Sequence, residues 1–337
     1  MRKNNFDFLR FLFAFIVVVG HIIALSGVEN FKTYQPFFST YISITGFFCI
    51  SGFLIVSSFE RTKSVKNYFQ KRAARILPAY ILIILLCATG LSFISNYSLV
   101  EYFTNLQFYK YLGANLSFLN FLQPCLPGVF EGENFYHCAV NGALWTIKVE
   151  VSFYLLLPIF VYFLRKSKRK YILLLFFYIF AIIFRNVFIH YSEKNDLFIM
   201  FARQLPGFMS YFVCGMALFY YFDFFIKYKN IFCVIGLFLL VVERIIGCEI
   251  LTPFALSAVI FTVAFSFDKL NNFGKYGDIS YGIYIFHFPI IQLAIHFGFF
   301  EKYNPFIVAF CLVLLIICTG FLSWHLLEKK FLKKYRT

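Results

Sequence analysis

Ten apolar runs of about 17 to 25 residues follow one another along this 337-residue chain, near 7–26, 35–58, 77–97, 145–164, 171–189, 204–222, 231–247, 250–267, 279–298 and 305–325. Each is long enough to cross a hydrocarbon core of roughly 30 Å as one helix. A soluble domain has no means of solvating such a surface: 61% of the residues are apolar, only 14% are charged, and 52 are Phe. The runs predict an all-α, polytopic membrane protein of about ten transmembrane helices. It reads as a single integral domain over 1–337, with no internal repeat and no appended soluble domain.

Charge placement orients these spans. With the N-terminus inside, 22 of the 31 Lys and Arg fall in cytoplasmic segments, five fall outside and four lie within spans. That bias suits an even number of spans with both termini cytoplasmic. The net charge of +15 therefore reflects topology and contact with anionic lipid rather than a nucleic-acid surface, because the basic residues cluster in short inner segments such as "RKSKRK" and "EKKFLKKYRT". A cleavable leader is the rival reading of the first 26 residues. Removing them would leave an odd number of spans against the charge bias, and a leader has no use for Arg10. Two connections are long: the basic cytoplasmic loop 59–76 and the outer loop 98–144. Cys125 and Cys138 share the outer loop and can form a disulfide if it faces an oxidising compartment.

Ionisable residues inside the spans mark the candidate site. Arg10 and His21 are separated by eleven residues, which places them on one helix face roughly 16 Å apart along the axis. Asp7 shares that face and can pair with Arg10. In "YFQKRAARILPAY", Arg72 and Arg75 stand at i and i+3 on an amphipathic helix just before the third span, a fork suited to phosphate. In "ALWTIKVEVSFYLLLP", Trp145 suits the interface and Glu150 lies roughly 7 Å deeper. Glu150 should share a depth with His21 and orient its ring, with Lys148 as a competing partner. "DISYGIYIFHFPI" adds Ser280, Tyr281, Tyr284 and His287, the last two on one face; helix-to-helix hydrogen bonding is their plainer role. Glu328 lies at the inner boundary, where its Lys neighbours are the default partners. No metal site is expected.

The segments "DFLRFLFAFIVVVGH", "FFCISGFLI", "KRAARILPAY", "LWTIKVEVSFYLLLP" and "SYGIYIFHFP" occur in an order and spacing that resembles the membrane acyltransferase-3 family. The resemblance implies a ten-helix enzyme of a bacterial cell membrane, the inner membrane where there are two. Such an enzyme transfers an acyl group, most often acetyl from cytoplasmic acetyl-CoA, to a hydroxyl of a surface polysaccharide such as O-antigen or of a lipid-linked precursor. It also implies roles for Arg10, His21, Arg72, Arg75, Trp145, Glu150, Tyr281, Tyr284 and His287. The chain departs from the family pattern at Val151, where a second acid is common, and at Lys148, Lys329 and Lys330.

On this reading Arg72 and Arg75, with Arg10, hold the phosphates of acyl-CoA, a co-substrate rather than a tightly bound cofactor. His21 is the general base on the carbohydrate hydroxyl, with Glu150 behind it and direct attack on the thioester. The rival classes are a transporter or flippase of lipid-linked sugars, which often shows repeat symmetry between halves, and a polymerase, which favours a large outer loop rich in catalytic Arg or Asp.

Overall fold

The computed structural model describes residues 3–62, 64–130, 138–193, 195, 197–247 and 249–334. Residues 131–137 of the expected outer loop and the last three of the basic tail lie outside the described residues. The helices are α1 (Phe6–Leu25), α2 (Thr40–Glu60), α3 (Val65–Gly90), α4 (Leu99–Thr104), α5 (Leu106–Leu116), α6 (Leu144–Lys166), α7 (Lys170–Ser192), α8 (Leu197–Ala202), α9 (Leu205–Tyr220), α10 (Phe222–Ile246), α11 (Thr252–Ala264), α12 (Ser280–His296), α13 (Phe299–Lys302), α14 (Pro305–Ser323) and α15 (Lys329–Lys333). No strand occurs among the described residues. The chain is an all-α, polytopic membrane protein.

A helix of 13 to 26 residues lies in each expected span. Among the described residues, seven helical segments are long and apolar enough to cross a membrane, and α11 joined to the 3-10 turns of Asp268–Tyr276, bent by 78°, makes an eighth if that broken pair is one span. The helices α9 and α12, of 16 and 17 residues, reach about 24 and 26 Å. Two boundaries differ from expectation. Pro36 cannot continue an α-helical ladder, so a 3-10 segment occupies Glu29–Phe37 and α2 starts only at Thr40. At the third span no Gly or Pro interrupts 65–77, so the basic amphipathic turn and the apolar run fuse into one helix of 26 residues.

The chain divides into two compact units, each discontinuous in sequence. The first comprises Met1–Arg10, Ile44–Phe69 and Val149–Lys275. Its centre uses the abundant Phe as interlocking rings: Phe6 lies 5.5 Å from Phe53 and 5.3 Å from Phe261, and Phe53 lies 5.2 Å from Phe261. Tilted and edge-on rings fill space without polar atoms. Within this unit α2 and α9 cross where Gly52 and Gly215 meet the backbones of Phe212 and Cys49, so closely that a methyl on either glycine would overlap a carbonyl.

The second unit comprises Phe11–Ser43, Gln70–Lys148 and Tyr276–Thr337. Its central element is α12, almost entirely buried. It approaches α14 through Gly282, where an added methyl would lie 2.9 Å from the Gly320 α-carbon. Pro289 inside α12 has no N–H to give to the Ile285 carbonyl, and Asn141 Nδ2 donates to that carbonyl instead, at 2.9 Å. Gln292 Nε2 donates to the Ala139 carbonyl at 2.9 Å, which ties α12 to the segment before α6. Nearby, Cys125 and Cys138 are joined as a disulfide with their α-carbons 5.1 Å apart.

Candidate active site

The second unit brings His21 and His287 together. His21 sits near the far end of α1 and His287 in the middle of α12, and both are buried. Their rings lie 4.9 Å apart between centroids and 20° from parallel, with His21 Nδ1 2.8 Å from His287 Nε2. On its other side His287 Nδ1 stands 2.6 Å from the Tyr284 carbonyl oxygen.

A carbonyl only accepts, so His287 Nδ1 carries the proton of that bond. In the neutral ring the His287 Nε2 lone pair then accepts from His21 Nδ1–H. This chain of donors leaves the lone pair of His21 on Nε2, where an imidazole can take a proton. Phe288 packs edge-on against His21 at 5.4 Å and excludes water from that side of the ring. Tyr284 OH and Thr146 Oγ1 share a hydrogen bond of 2.6 Å, which holds the start of α6 against α12 one turn from His287.

A second cluster in the same unit surrounds Arg75. Its Nη2 pairs with Asp278 Oδ2 at 2.5 Å and its Nη1 lies 3.6 Å from Glu328 Oε2. The guanidinium also lies 5.8 Å from the centre of the Tyr281 ring and 5.7 Å from that of Trp324. Asp278 takes a further hydrogen bond from Ser280 Oγ at 2.5 Å, Ser323 Oγ donates to Glu328 at 2.8 Å, and Tyr281 OH donates to the Ile76 carbonyl at 2.9 Å. A π-turn over Trp324–Glu328 aims Glu328 inward, whereas Lys330 is exposed. The observed ion pair of Glu328 is therefore with Arg75, not with the adjacent lysines.

The remaining candidates are distributed as follows. Arg72 lies one turn before Arg75 on α3, half-buried. Asp7 and Arg10 belong to the first unit, where the Asp7 carboxylate rests against the bare α-carbon of Gly274. Glu150 is also in the first unit and accepts from Tyr154 OH at 2.5 Å, the i to i+4 bond of its own helix. Within the second unit the His21 ring is hydrogen-bonded to a second imidazole, a pairing that sequence reasoning does not anticipate. Trp145 is half-buried beside Thr146, and the Lys148 ammonium lies over the Phe121 ring at 4.0 Å. Sequence reasoning passes over Asp278, Asn141 and Thr146. Asp278 carries a signal, as an acid two residues before a buried serine at a helix start; the other two carry none.

A family model described as an acyltransferase domain matches residues 3–325. An O-acetyl transferase of Shigella phage Sf6 is 29% identical over 99% of this chain and 98% of its own length. Nodulation protein 10 of Rhizobium leguminosarum bv. viciae is 32% identical over 50% of this chain and 46% of its own. No solved structure matches the chain. The matched residues run from before α1 into the π-turn and include both histidines, Arg75 and Asp278: the chain belongs to the acyltransferase domain family.

Proposed function

We propose that the chain transfers an acetyl group from cytoplasmic acetyl-CoA to a hydroxyl of a surface polysaccharide or of its lipid-linked precursor, in the inner membrane of a bacterium. The observation that carries this reading is the relay from the Tyr284 carbonyl through His287 to His21, which puts the lone pair of His21 on Nε2 in a buried site. A relative named an O-acetyl transferase supports acetyl as the group and oxygen as the acceptor.

In the step so drawn, His21 Nε2 removes the acceptor hydroxyl proton as the oxygen attacks the thioester carbonyl. A carbon–oxygen bond forms, the carbon–sulfur bond breaks, and the proton on Nε2 passes to the departing thiolate. Such assistance contributes about 10²–10⁴-fold. His287 holds the ring by a neutral acceptor. An ionised carboxylate in that place would have to be buried at far greater cost within the membrane. Arg72 and Arg75 serve the donor phosphates; to do so Arg75 exchanges Asp278 or Glu328 for phosphate oxygens.

The test is mass spectrometry of surface glycan from cells with and without the gene, fed isotope-labelled acetate. Gain of one labelled acetyl mass per modified sugar is expected. A change in glycan amount or length with no change in mass per sugar would overturn the reading in favour of transport or polymerisation.

A further inference from the structure

The first unit contains a cavity of about 380 Å³ between α7, α9, α10 and α11, away from both clusters in chain position and composed only of first-unit residues. Its lining is almost wholly apolar. Cys214, Phe254 and Ser257 close the deep end, and the Ser257 hydroxyl is already turned onto Cys49 Sγ at 3.0 Å. Tyr171, Tyr221 and Phe224 form the mouth and are 55%, 40% and 58% exposed. From Tyr221 to Cys214 the wall of α9 rises about 10 Å.

Water needs two to four polar partners to be held in such a space, and the deep end offers only one hydroxyl, its proton already given to Cys49 Sγ. The volume corresponds to about a dozen liquid-water volumes, enough for a stretch of hydrocarbon. The walls include α7 and α10, both apolar enough to cross a membrane. Apolar side chains on helices of this kind suit lipid chains as neighbours.

The mouth lies where α7 begins, α9 ends and α10 begins, and that edge is basic. Lys166, Lys168, Arg169 and Lys170 precede or open α7, and Lys227 and Lys229 follow on the first turns of α10, with Asp223 among them. The Lys170 ammonium lies over the Tyr220 ring at 4.8 Å, next to the mouth residue Tyr221. Basic residues at a span end mark the cytoplasmic leaflet, where anionic headgroups gather, and Tyr at the same level marks the headgroup boundary.

We propose that this cavity is a lipid site that takes one acyl chain of an anionic glycerophospholipid of the inner leaflet, its headgroup held by Lys170 and Lys227. Charge complementarity selects this occupant over a neutral lipid, and the cytoplasmic position of the mouth selects it over a polyprenyl carrier whose sugar is presented outside.

Native mass spectrometry of the full chain in detergent, titrated separately with phosphatidylglycerol, phosphatidylcholine and undecaprenyl phosphate, tests this. One phosphatidylglycerol per chain is expected, bound about tenfold more tightly than phosphatidylcholine, since each nearby cation contributes several-fold. Lys170→Ala with Lys227→Ala should erase that preference. Ala217→Phe should fill the cavity and abolish retention, and Ala217→Val, a change that α9 tolerates sterically, should weaken it if the larger variant does not fold. Equal binding of the two glycerolipids, retention unchanged in the folded Ala217 variants, or tighter binding of undecaprenyl phosphate would each overturn the proposal. The readout is bound lipid mass, so its failure is independent of whether the chain transfers acetyl.

Discussion

His21 and His287 are 266 residues apart in sequence and share one hydrogen bond of 2.8 Å, and that bond decides which nitrogen of His21 carries the lone pair. Replacing His21 by Ala removes the proposed base and leaves His287 Nε2 without this partner. Acetyl transfer should fall by about 10²–10⁴-fold. Insertion should persist, because a lost interhelical hydrogen bond in a membrane costs only about 1 kcal/mol. Rates on purified protein, with unfolding temperature measured alongside, check both halves; near wild-type turnover by a folded His21→Ala protein would return His21 to a structural role.

In the proposed step His287 acts through His21, which makes it a positioning residue. His287→Phe keeps the ring volume and removes the acceptor, so kcat should drop while KM for both substrates changes little. His287→Gln can still accept from His21 Nδ1–H through its amide oxygen and should recover part of the loss. A purely structural role predicts equal losses in the two variants, or losses that follow unfolding temperature.

Arg75 neutralises two carboxylates, one of which, Glu328, has no exposed surface. Arg75→Ala should therefore destabilise the protein by about 3–5 kcal/mol, the usual cost of leaving a buried charge unpaired. Arg72→Ala should lower donor use at nearly unchanged stability. Adding Glu328→Gln to Arg75→Ala should restore much of the stability but not donor use. Thermal unfolding and acetyl-CoA binding, measured on all three, separate the structural from the substrate-binding part of Arg75.

Gly277 adopts a φ of +126°, and any β-carbon there would overlap the Trp324 indole. Gly277→Ala should push Trp324 off the Arg75 guanidinium. The chain has two Trp, so in a Trp145→Phe background the remaining emission reports Trp324 alone. A red shift and a lower unfolding temperature are expected; unchanged emission would show that the indole does not depend on the bare glycine.

Cys125 and Cys138 should appear linked in a non-reducing peptide map, with neither labelled by a thiol reagent before reduction. Free thiols at both positions would contradict the bridge.

Membrane class, all-α architecture and most of the residues in the two clusters follow from sequence, because apolar length and ionisable residues within a span are properties of local chain. His21, Arg75, Tyr281, Tyr284 and His287 stand out as residues whose burial needs a reason. Which of them pair does not. That His21 meets His287 depends on how α1 and α12 are rotated about their axes. Depth along a helix is legible from sequence, but rotation is set by contacts such as Gly282 against Gly320 and by Asn141 filling the gap left by Pro289. Glu328 shows the same division. Its neighbours in sequence are lysines, yet the π-turn over Trp324–Glu328 shifts the register of side chains and turns it toward Arg75. Sequence alone determined that this chain lives in a membrane and buries charge there. Which charge meets which was decided only by tertiary packing, because hydrogen bonds between helices depend on angles and offsets that no single helix encodes.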